Sequence, residues 1–212
     1  MKNAIKKTIF KVANNKILSN ILSSRSKGAK VLFYHGVEKE IKDPFVQSLH
    51  MTFKNFEKQI LYLKKEYEII SIEDIHDSIY DHRKLSNKHV ALTFDDGYKN
   101  NLDIVFPFLS SLNIPFSIFI STKHIETGMR FPTYIIRAAL KENLNSGFFL
   151  KSLEKDFKLD TLDNLKDTHN YIAKFIKISS QNKVDEIINE VYNLIPENRW
   201  SEINEKYLSD QP

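Results

Sequence analysis

The chain has 212 residues, contains no cysteine and carries a formal net charge of +4. Without cysteine, disulfides and thiolate metal sites are excluded, so any bound metal must be held by histidine, aspartate or glutamate. The hydrophobic content of 42% suffices for one core, and no apolar run reaches the roughly 18 residues that span a membrane. One folded domain is therefore the default expectation.

The N-terminal segment is strongly basic. Residues 1–30 hold eight of the 31 basic residues and none of the 27 acidic residues, so the rest of the chain is acidic and nucleic-acid binding is not expected. Apolar residues at helical spacing predict a basic amphipathic helix, which either rests on an anionic membrane surface or packs against its own domain. Lysines and polar residues interrupt any signal-peptide core, so we predict a cytoplasmic chain, peripheral to the membrane if the helix binds lipid.

The next hundred residues alternate between strand and helix patterns. Apolar runs predict strands at 31–34, 68–71, 89–94 and 115–121. Helical spacing of apolar residues predicts helices at 52–66, 72–83 and 98–112. Nearly continuous apolar strands separated by helices are typical of a parallel sheet covered by helices. We therefore predict an α/β domain with about four parallel strands at residues 31–130.

The pattern changes after about residue 130. A helix is predicted at 131–143, and charged, helix-favouring segments continue from Phe148 to Leu208 without a predicted strand. The polar residues 179–182 indicate a turn between two of these helices. The sequence thus predicts a basic helical segment at 1–30, the α/β part at 31–130 and a helical insertion or tail at 131–212.

The sequence TFDDGY at 93–98 places two carboxylates, Asp95 and Asp96, side by side after an apolar strand. An Asp-Gly pair alone is ordinary turn chemistry, because glycine accepts positive φ and aspartate hydrogen-bonds its own backbone. In parallel α/β sheets, however, binding sites form at the carboxyl ends of the strands. His35 follows one predicted strand and His124 another, so both are expected at the same edge, although a surface position is the better interpretation of His124.

A strand ending in YHG at 34–36, the TFDDGY motif and the later strand PFSIFIS together resemble the polysaccharide deacetylase family, over roughly residues 30–125. These are metal-dependent carbohydrate esterases with a distorted (β/α) barrel. The resemblance implies a partial barrel of about four parallel strands followed by a helical tail. It also implies that Asp95 is the catalytic general base and Asp96 a metal ligand. In this context His35 is expected to line the site, the alternative being a buried histidine bonded to a backbone carbonyl. Tyr98 is expected to begin the next helix and is a candidate for a substrate contact.

The implied chemistry explains why two acids stand together. A divalent metal, most often zinc, lowers the pKa of its bound water and polarises the acetyl carbonyl. One carboxylate binds the metal while its neighbour accepts the proton of the attacking water, and the charge of the metal offsets their repulsion. The implied activity is hydrolysis of acetyl groups on N-acetylated or O-acetylated sugars of a surface polysaccharide, with the polysaccharide or a glycolipid precursor as partner.

The histidine pair that completes the metal site in this family, spaced four residues apart, is not found. Of the seven histidines, the nearest pair is His76 and His82, six residues apart on a predicted helix. One aspartate cannot hold zinc, which ordinarily takes three protein ligands in catalytic sites. We therefore expect an incomplete ligand set in a chain truncated before the histidine motif. The chain is then half of a split deacetylase that needs a complementary chain, or a non-catalytic remnant or interaction module.

Overall fold

The protein is represented by a computed structural model that describes residues 28–207. Residues 1–27, on which most of the predicted basic helix and its membrane surface fall, lie outside the described residues. The strands are β1 (Lys30–Tyr34), β2 (Gly36–Glu38), β3 (His50–Thr52), β4 (Glu68–Ile69), β5 (His89–Asp96), β6 (Ser117–Ile120), β7 (Gly147–Leu150) and β8 (Lys155–Lys158). The α-helices are α1 (Phe53–Glu66), α2 (Ile72–Tyr80), α3 (Phe106–Ser111), α4 (Thr122–Thr127), α5 (Pro132–Glu142), α6 (Leu162–Ile178), α7 (Gln181–Tyr192) and α8 (Trp200–Tyr207).

The chain forms two compact units that alternate along the sequence. The first, which we call the sheet unit, contains residues 28–37 together with Phe53–Gly97 and Asn101–Ile120. The second, the helical unit, contains Glu38–Thr52, Tyr98–Asn100 and residues 121–207. No helix within residues 28–207 is both long enough and apolar enough to cross a lipid bilayer.

The sheet unit is built around β5, which confirms the predicted parallel sheet. Lys30–Tyr34 of β1 pair in parallel with Val90–Phe94 of β5. Two short strands also pair in parallel with β5, β4 at its beginning and β6 at its end, where residues 93–96 are matched to 117–120. The structure therefore contains a four-stranded parallel sheet with β5 as the shared partner.

One face of this sheet packs against α1, and on the opposite face β5 is buried while β1 is exposed. Phe56, Ile60 and Leu63 recur at helical spacing on α1 and are buried. The ring of Phe56 lies 5.9 Å from that of Phe94 on β5, which places this helix stripe on the sheet. Because successive strand residues point to opposite faces, the alternate residues of β1 point away, and Phe33 remains 69% exposed.

The predicted helix at 98–112 is confirmed, because residues 99–111 are continuously helical, but part of it is a π-helical turn. A π-helical turn occupies Asn101–Val105, and α3 begins only at Phe106, with Pro107 in its first turn. Proline has no N–H to donate, and its ring clashes with the carbonyl four residues earlier in a continuous helix. The π-helical turn includes the residue four positions before Pro107, so the wider turn accommodates the proline within the helix.

The helical unit encloses a single core formed by α5, α6, α7 and α8. Its fully buried members include Ile136, Leu140, Leu165, Ile172 and Ile187. The prediction of a helical tail without strands was wrong at one place, because β7 and β8 form an antiparallel hairpin. Phe148 and Phe157 face each other in this hairpin with ring centroids 5.3 Å apart. The sequences of these strands, GFFL and KDFK, do not alternate between apolar and polar residues, so no strand pattern is visible in them.

Candidate active site

The two aspartates are the last residues of β5. The predicted strand ended at Phe94, but pairing with β6 extends it through Asp96, opposite Ile120. Asp95 lies opposite Phe119. The carboxylates are therefore held by a hydrogen-bonded strand and not by a free turn, so their backbone positions are fixed at the carboxyl end of the sheet.

The backbone at the end of β5 is unusual. Asp96 and Gly97 both have φ of +76°. Glycine adopts this conformation freely, whereas aspartate does so at some cost. A Cβ atom on Gly97 would lie 3.0 Å from Cγ2 and 3.3 Å from Cα of Ile120, so the position also needs the small size of glycine. Residues held in the left-handed region are concentrated at functional sites, which makes Asp96 a stronger candidate than an ordinary turn aspartate.

The side chains of Asp95 and Asp96 are half-buried and form no hydrogen bond or ion pair with other residues of the described chain. A fully buried carboxylate is normally paired or hydrogen-bonded, because removing it from water is costly, whereas a half-buried one can keep its water. Two adjacent unpaired carboxylates are therefore available to accept a proton, to bind a cation or to hydrogen-bond a substrate.

His35 lies at the same level of the sheet as Asp95. The register pairs Tyr34 with Phe94, so the residues that follow them, His35 and Asp95, both lie at the carboxyl end of the sheet. The imidazole of His35 is half-buried and contacts the ring of Phe33 edge to face, with centroids 6.2 Å apart. Its function in the site remains a prediction.

Sequence reasoning missed Asn101, which begins the π-helical turn after the motif. Its side chain is buried, and neither its amide nitrogen nor its amide oxygen has a hydrogen-bond partner in the part of the chain that the structure describes. An unsatisfied buried amide costs about 1–3 kcal/mol per group, and π-helical turns are frequent at functional sites. Asn101 is therefore a second polar group of the sheet unit that is available for a water molecule or a ligand.

Tyr98 and His124 belong to the helical unit. The ring of Tyr98 is buried against Phe131 and His50, at centroid distances of 5.5 and 4.7 Å. This environment favours a packing function, and a substrate contact by Tyr98 remains a prediction. His124 Nδ1 lies 2.6 Å from Oγ of Ser121, the residue before α4, so this histidine forms a local contact at the start of the helix.

A buried polar cluster in the helical unit was also missed. His50 Nδ1 lies 2.8 Å from Glu38 Oε1, and Asn100 Nδ2 donates to the same oxygen at 3.1 Å. All three side chains are almost completely buried. A buried polar cluster stabilises a fold only when its members are hydrogen-bonded, as these three are. The cluster therefore fixes the segment Tyr98–Asn100 within the helical unit.

The residues present do not complete a zinc site. Within residues 28–207, no three histidine, aspartate or glutamate side chains come close enough together to hold a metal ion. Zinc in a catalytic site ordinarily takes three protein ligands, and Asp96 supplies at most one. The described donor set therefore does not fit the metal that the family resemblance implies.

Comparison with known proteins agrees with the motif. Residues 82–152, which include both aspartates, match the family described as polysaccharide deacetylase. No curated protein matches the sequence significantly.

Among solved structures, the chain is similar to a de-N-acetylase from Aggregatibacter actinomycetemcomitans, with 18% identity, 75% of each chain covered and a TM-score of 0.42. It is similar to IcaB from Ammonifex degensii, with 17% identity, 87% of this chain and 98% of that chain covered and a TM-score of 0.43. A polysaccharide deacetylase from Bacillus cereus shows 31% identity over 41% of this chain, with a TM-score of 0.30. The chain covers 25% of that protein's length.

Proposed function

We propose, from the confirmed resemblance of residues 82–152 to the polysaccharide deacetylases, that the chain takes part in removing acetyl groups from sugars. The substrate would be an N-acetylated or O-acetylated surface polysaccharide or its glycolipid precursor. The main supporting observation is the aspartate pair, because Asp95 and Asp96 end the central strand of a parallel sheet with no partner among residues 28–207. Unpaired carboxylates at this end of a sheet are suited to catalysis.

Asp95 would act as the general base. Its carboxylate accepts a proton from a water molecule while the water oxygen bonds to the acetyl carbonyl carbon. The bond from that carbon to the sugar nitrogen or oxygen then breaks, and the proton held by Asp95 passes to the leaving group. The products are acetate and a free amino or hydroxyl group, so one water molecule is consumed for each acetyl group removed.

Asp96 would be a ligand of the divalent metal, zinc in most members of the family. Because the described residues do not form a zinc site, we propose that the other ligands come from polypeptide other than residues 28–207. In the same way, we propose that the four strands are part of a distorted (β/α) barrel. The parallel pairing and the exposed apolar residues of β1 and β6 support this proposal.

Acetate release from N-acetylglucosamine oligomers tests the function. We expect no detectable release from the 212-residue chain with added zinc, and release when the C-terminal portion of the Bacillus cereus deacetylase is added. Asp95→Asn should reduce that release by about 100-fold or more, the usual contribution of a general base. Asp160→Asn removes an exposed carboxylate and is the matched control. Equal release by wild type and Asp95→Asn would exclude the proposed base.

A second candidate function is that of an interaction module without catalysis. It is favoured by the exposed apolar residues at the strand edges, Phe33 on β1 with Phe119 and Ile120 on β6. Unpaired strand edges with apolar side chains are sites for pairing with another polypeptide. Association with the added C-terminal portion without any acetate release would support this function over the first.

A further inference from the structure

The helical unit contains a pocket of about 630 Å³ that no part of the proposed chemistry uses. Its lining combines apolar side chains with several basic ones and includes Asp43, Phe45, Arg137, Lys141, Lys166 and His169, which we call the basic pocket. The volume is in the range of pockets that hold a sugar-sized ligand.

The positive charges of the basic pocket are only partly neutralised. Lys141 Nζ lies 2.8 Å from Asp43 Oδ2, so the charges of these two residues neutralise each other. Asp43 also accepts backbone N–H groups from Phe45 and Val46, which fixes its carboxylate. Arg137 is half-buried and has neither an ion pair nor a hydrogen bond with any other described residue. The pocket therefore retains a positive charge with no counter-charge within residues 28–207.

Arg137 is held in an environment that disfavours its charge. Burial lowers the pKa of its guanidinium, although arginine stays charged at any physiological pH. Burial, and then the nearby charge of Arg137, also lowers the pKa of His169. The Nε2 atom of His169 is buried without a partner among the described residues. A desolvated charge is costly unless an opposite charge joins it, and guanidinium matches the geometry of carboxylate and phosphate oxygens.

We propose that the basic pocket binds a sugar bearing a phosphate or carboxylate group, with Arg137 as the anchor of the anion. Phe45 is half-buried and Leu162 is 54% exposed at the pocket, so they offer apolar surface to the ring carbons of the sugar. Lys166 is exposed and pairs only loosely with Asp163, at 3.6 Å, so it can turn towards the same anion. Most ligand pockets combine an apolar lining with a few polar groups in this way.

Titration calorimetry with the full 212-residue chain at constant ionic strength tests this proposal, using glucose 1-phosphate, glucuronate, inorganic phosphate and neutral glucose. We expect both anionic sugars to bind more tightly than phosphate alone, and glucose to bind least. Arg137→Gln should weaken the anionic sugars by about tenfold or more, since a charge-assisted bidentate contact is lost. Arg83→Gln, at an exposed arginine paired with Asp81, is the matched control and should not change their affinity.

Arg137→Lys keeps the charge but not the planar fork, so an intermediate affinity is expected. If Arg137→Gln does not fold, the affinities of Arg137→Lys and of Lys166→Gln, at an exposed position, for the same sugars test the proposal instead. Absence of binding by both anionic sugars, or equal binding of glucose and glucose 1-phosphate, would overturn the site. Phosphate binding as tight as the sugar phosphate would overturn its assignment to sugars. The measurement requires no acetate release, so its outcome is independent of the proposed deacetylation.

Discussion

The sheet unit and the helical unit each bury a core, but they differ in where their large apolar side chains remain exposed. In the sheet unit, large apolar residues remain in water, including Phe119 at 55% and Ile120 at 57% exposure. In the helical unit, Ile136, Leu140 and Ile187 are completely buried in one core. The helical unit also leaves apolar side chains exposed, including Leu162 at 54% and Ile178 at 75%, but these two lie on helix α6. Phe119 and Ile120 lie on a strand of the parallel sheet, which other polypeptide could cover.

The carboxylates named here also differ between the two units in whether they are paired. Glu38 and Glu142 of the helical unit are paired, the second with Arg199, Lys206 and Tyr207. Asp95 and Asp96 of the sheet unit have no partner within residues 28–207. Satisfied polar groups contribute to stability, whereas unsatisfied ones are retained at a cost, as at functional sites. Glu38 and Glu142 therefore contribute to stability, whereas Asp95 and Asp96 in the sheet unit and Arg137 in the helical unit are charged groups left for a ligand.

The largest effect should come from the covered face of the sheet. Phe94 is fully buried on β5, whereas Phe33 is exposed on β1. Phe94→Ala should lower the free energy of unfolding by about 3–5 kcal/mol, because it removes a buried ring and leaves a cavity. Phe33→Ala, the same substitution, should change it by less than about 0.5 kcal/mol. Urea denaturation of the two variants beside wild type measures both, and similar losses would show that Phe33 is covered in solution.

The second effect concerns the paired carboxylate of the helical unit. Glu142 accepts from Tyr207 Oη at 2.7 Å and from Lys206 Nζ at 3.0 Å. Glu142→Gln should cost about 2–3 kcal/mol of unfolding free energy, because hydrogen bonds to a charged group are lost. Glu205→Gln changes an exposed glutamate of the same unit and should have little effect. Chemical denaturation at neutral pH compares the two, and equal stabilities would mean that the network contributes nothing.

The same network gives a pH dependence with a definite sign. Burial alone would raise the pKa of Glu142, but the hydrogen bonds from Tyr207 and Lys206 outweigh it and hold the pKa below the ordinary 4.5. The unfolded chain therefore binds the proton first as the pH falls. The contribution of Glu142 to the free energy of unfolding is complete above about pH 4.5. It is lost as the pH falls through the lowered pKa of the folded state. The Glu142→Gln variant should therefore lack this loss of unfolding free energy at acid pH.

A third effect compares one glycine from each unit. Gly97 and Gly128 both have positive φ, but a Cβ would meet Ile120 only at Gly97 and nothing within 4 Å at Gly128. Gly128→Ala should cost about 1 kcal/mol from backbone strain, and Gly97→Ala about 2 kcal/mol because of the added contact. Thermal unfolding of both variants measures the difference. Equal costs would indicate that Ile120 moves aside and that the end of the sheet is less rigid than its register suggests.

The sequence was sufficient for the parallel sheet but not for the details at its end. Apolar runs located β1, β5 and β6, because buried strands need continuous apolar residues. The extension of β5 through Asp96 depends on pairing with β6, which no local pattern encodes. The cluster of Glu38, His50 and Asn100 joins residues 12 and 62 positions apart, so only the tertiary structure shows it.

The smallest effect is the most informative about the aspartate pair. In Asp96→Asn, repulsion between adjacent carboxylates is removed while the side chain keeps its size. Asparagine, like aspartate, tolerates the left-handed conformation at φ +76°. Since the carboxylates interact near the surface through a high dielectric, we expect stabilisation of about 0.5 kcal/mol or less. Asp156→Asn, at an exposed position of the helical unit, is the matched control and should be neutral.

A structural function for Asp96 predicts the opposite sign. An aspartate that braces its own turn through hydrogen bonds typically contributes about 1 kcal/mol, which the substitution would remove. No such hydrogen bond to Asp96 is found within residues 28–207, so the repulsion should dominate. Chemical denaturation with a chelator present at neutral pH distinguishes the two, because the chelator removes any metal that would compensate the pair. A loss of about 1 kcal/mol would identify a turn where we infer a site, since only a bracing contact has that sign.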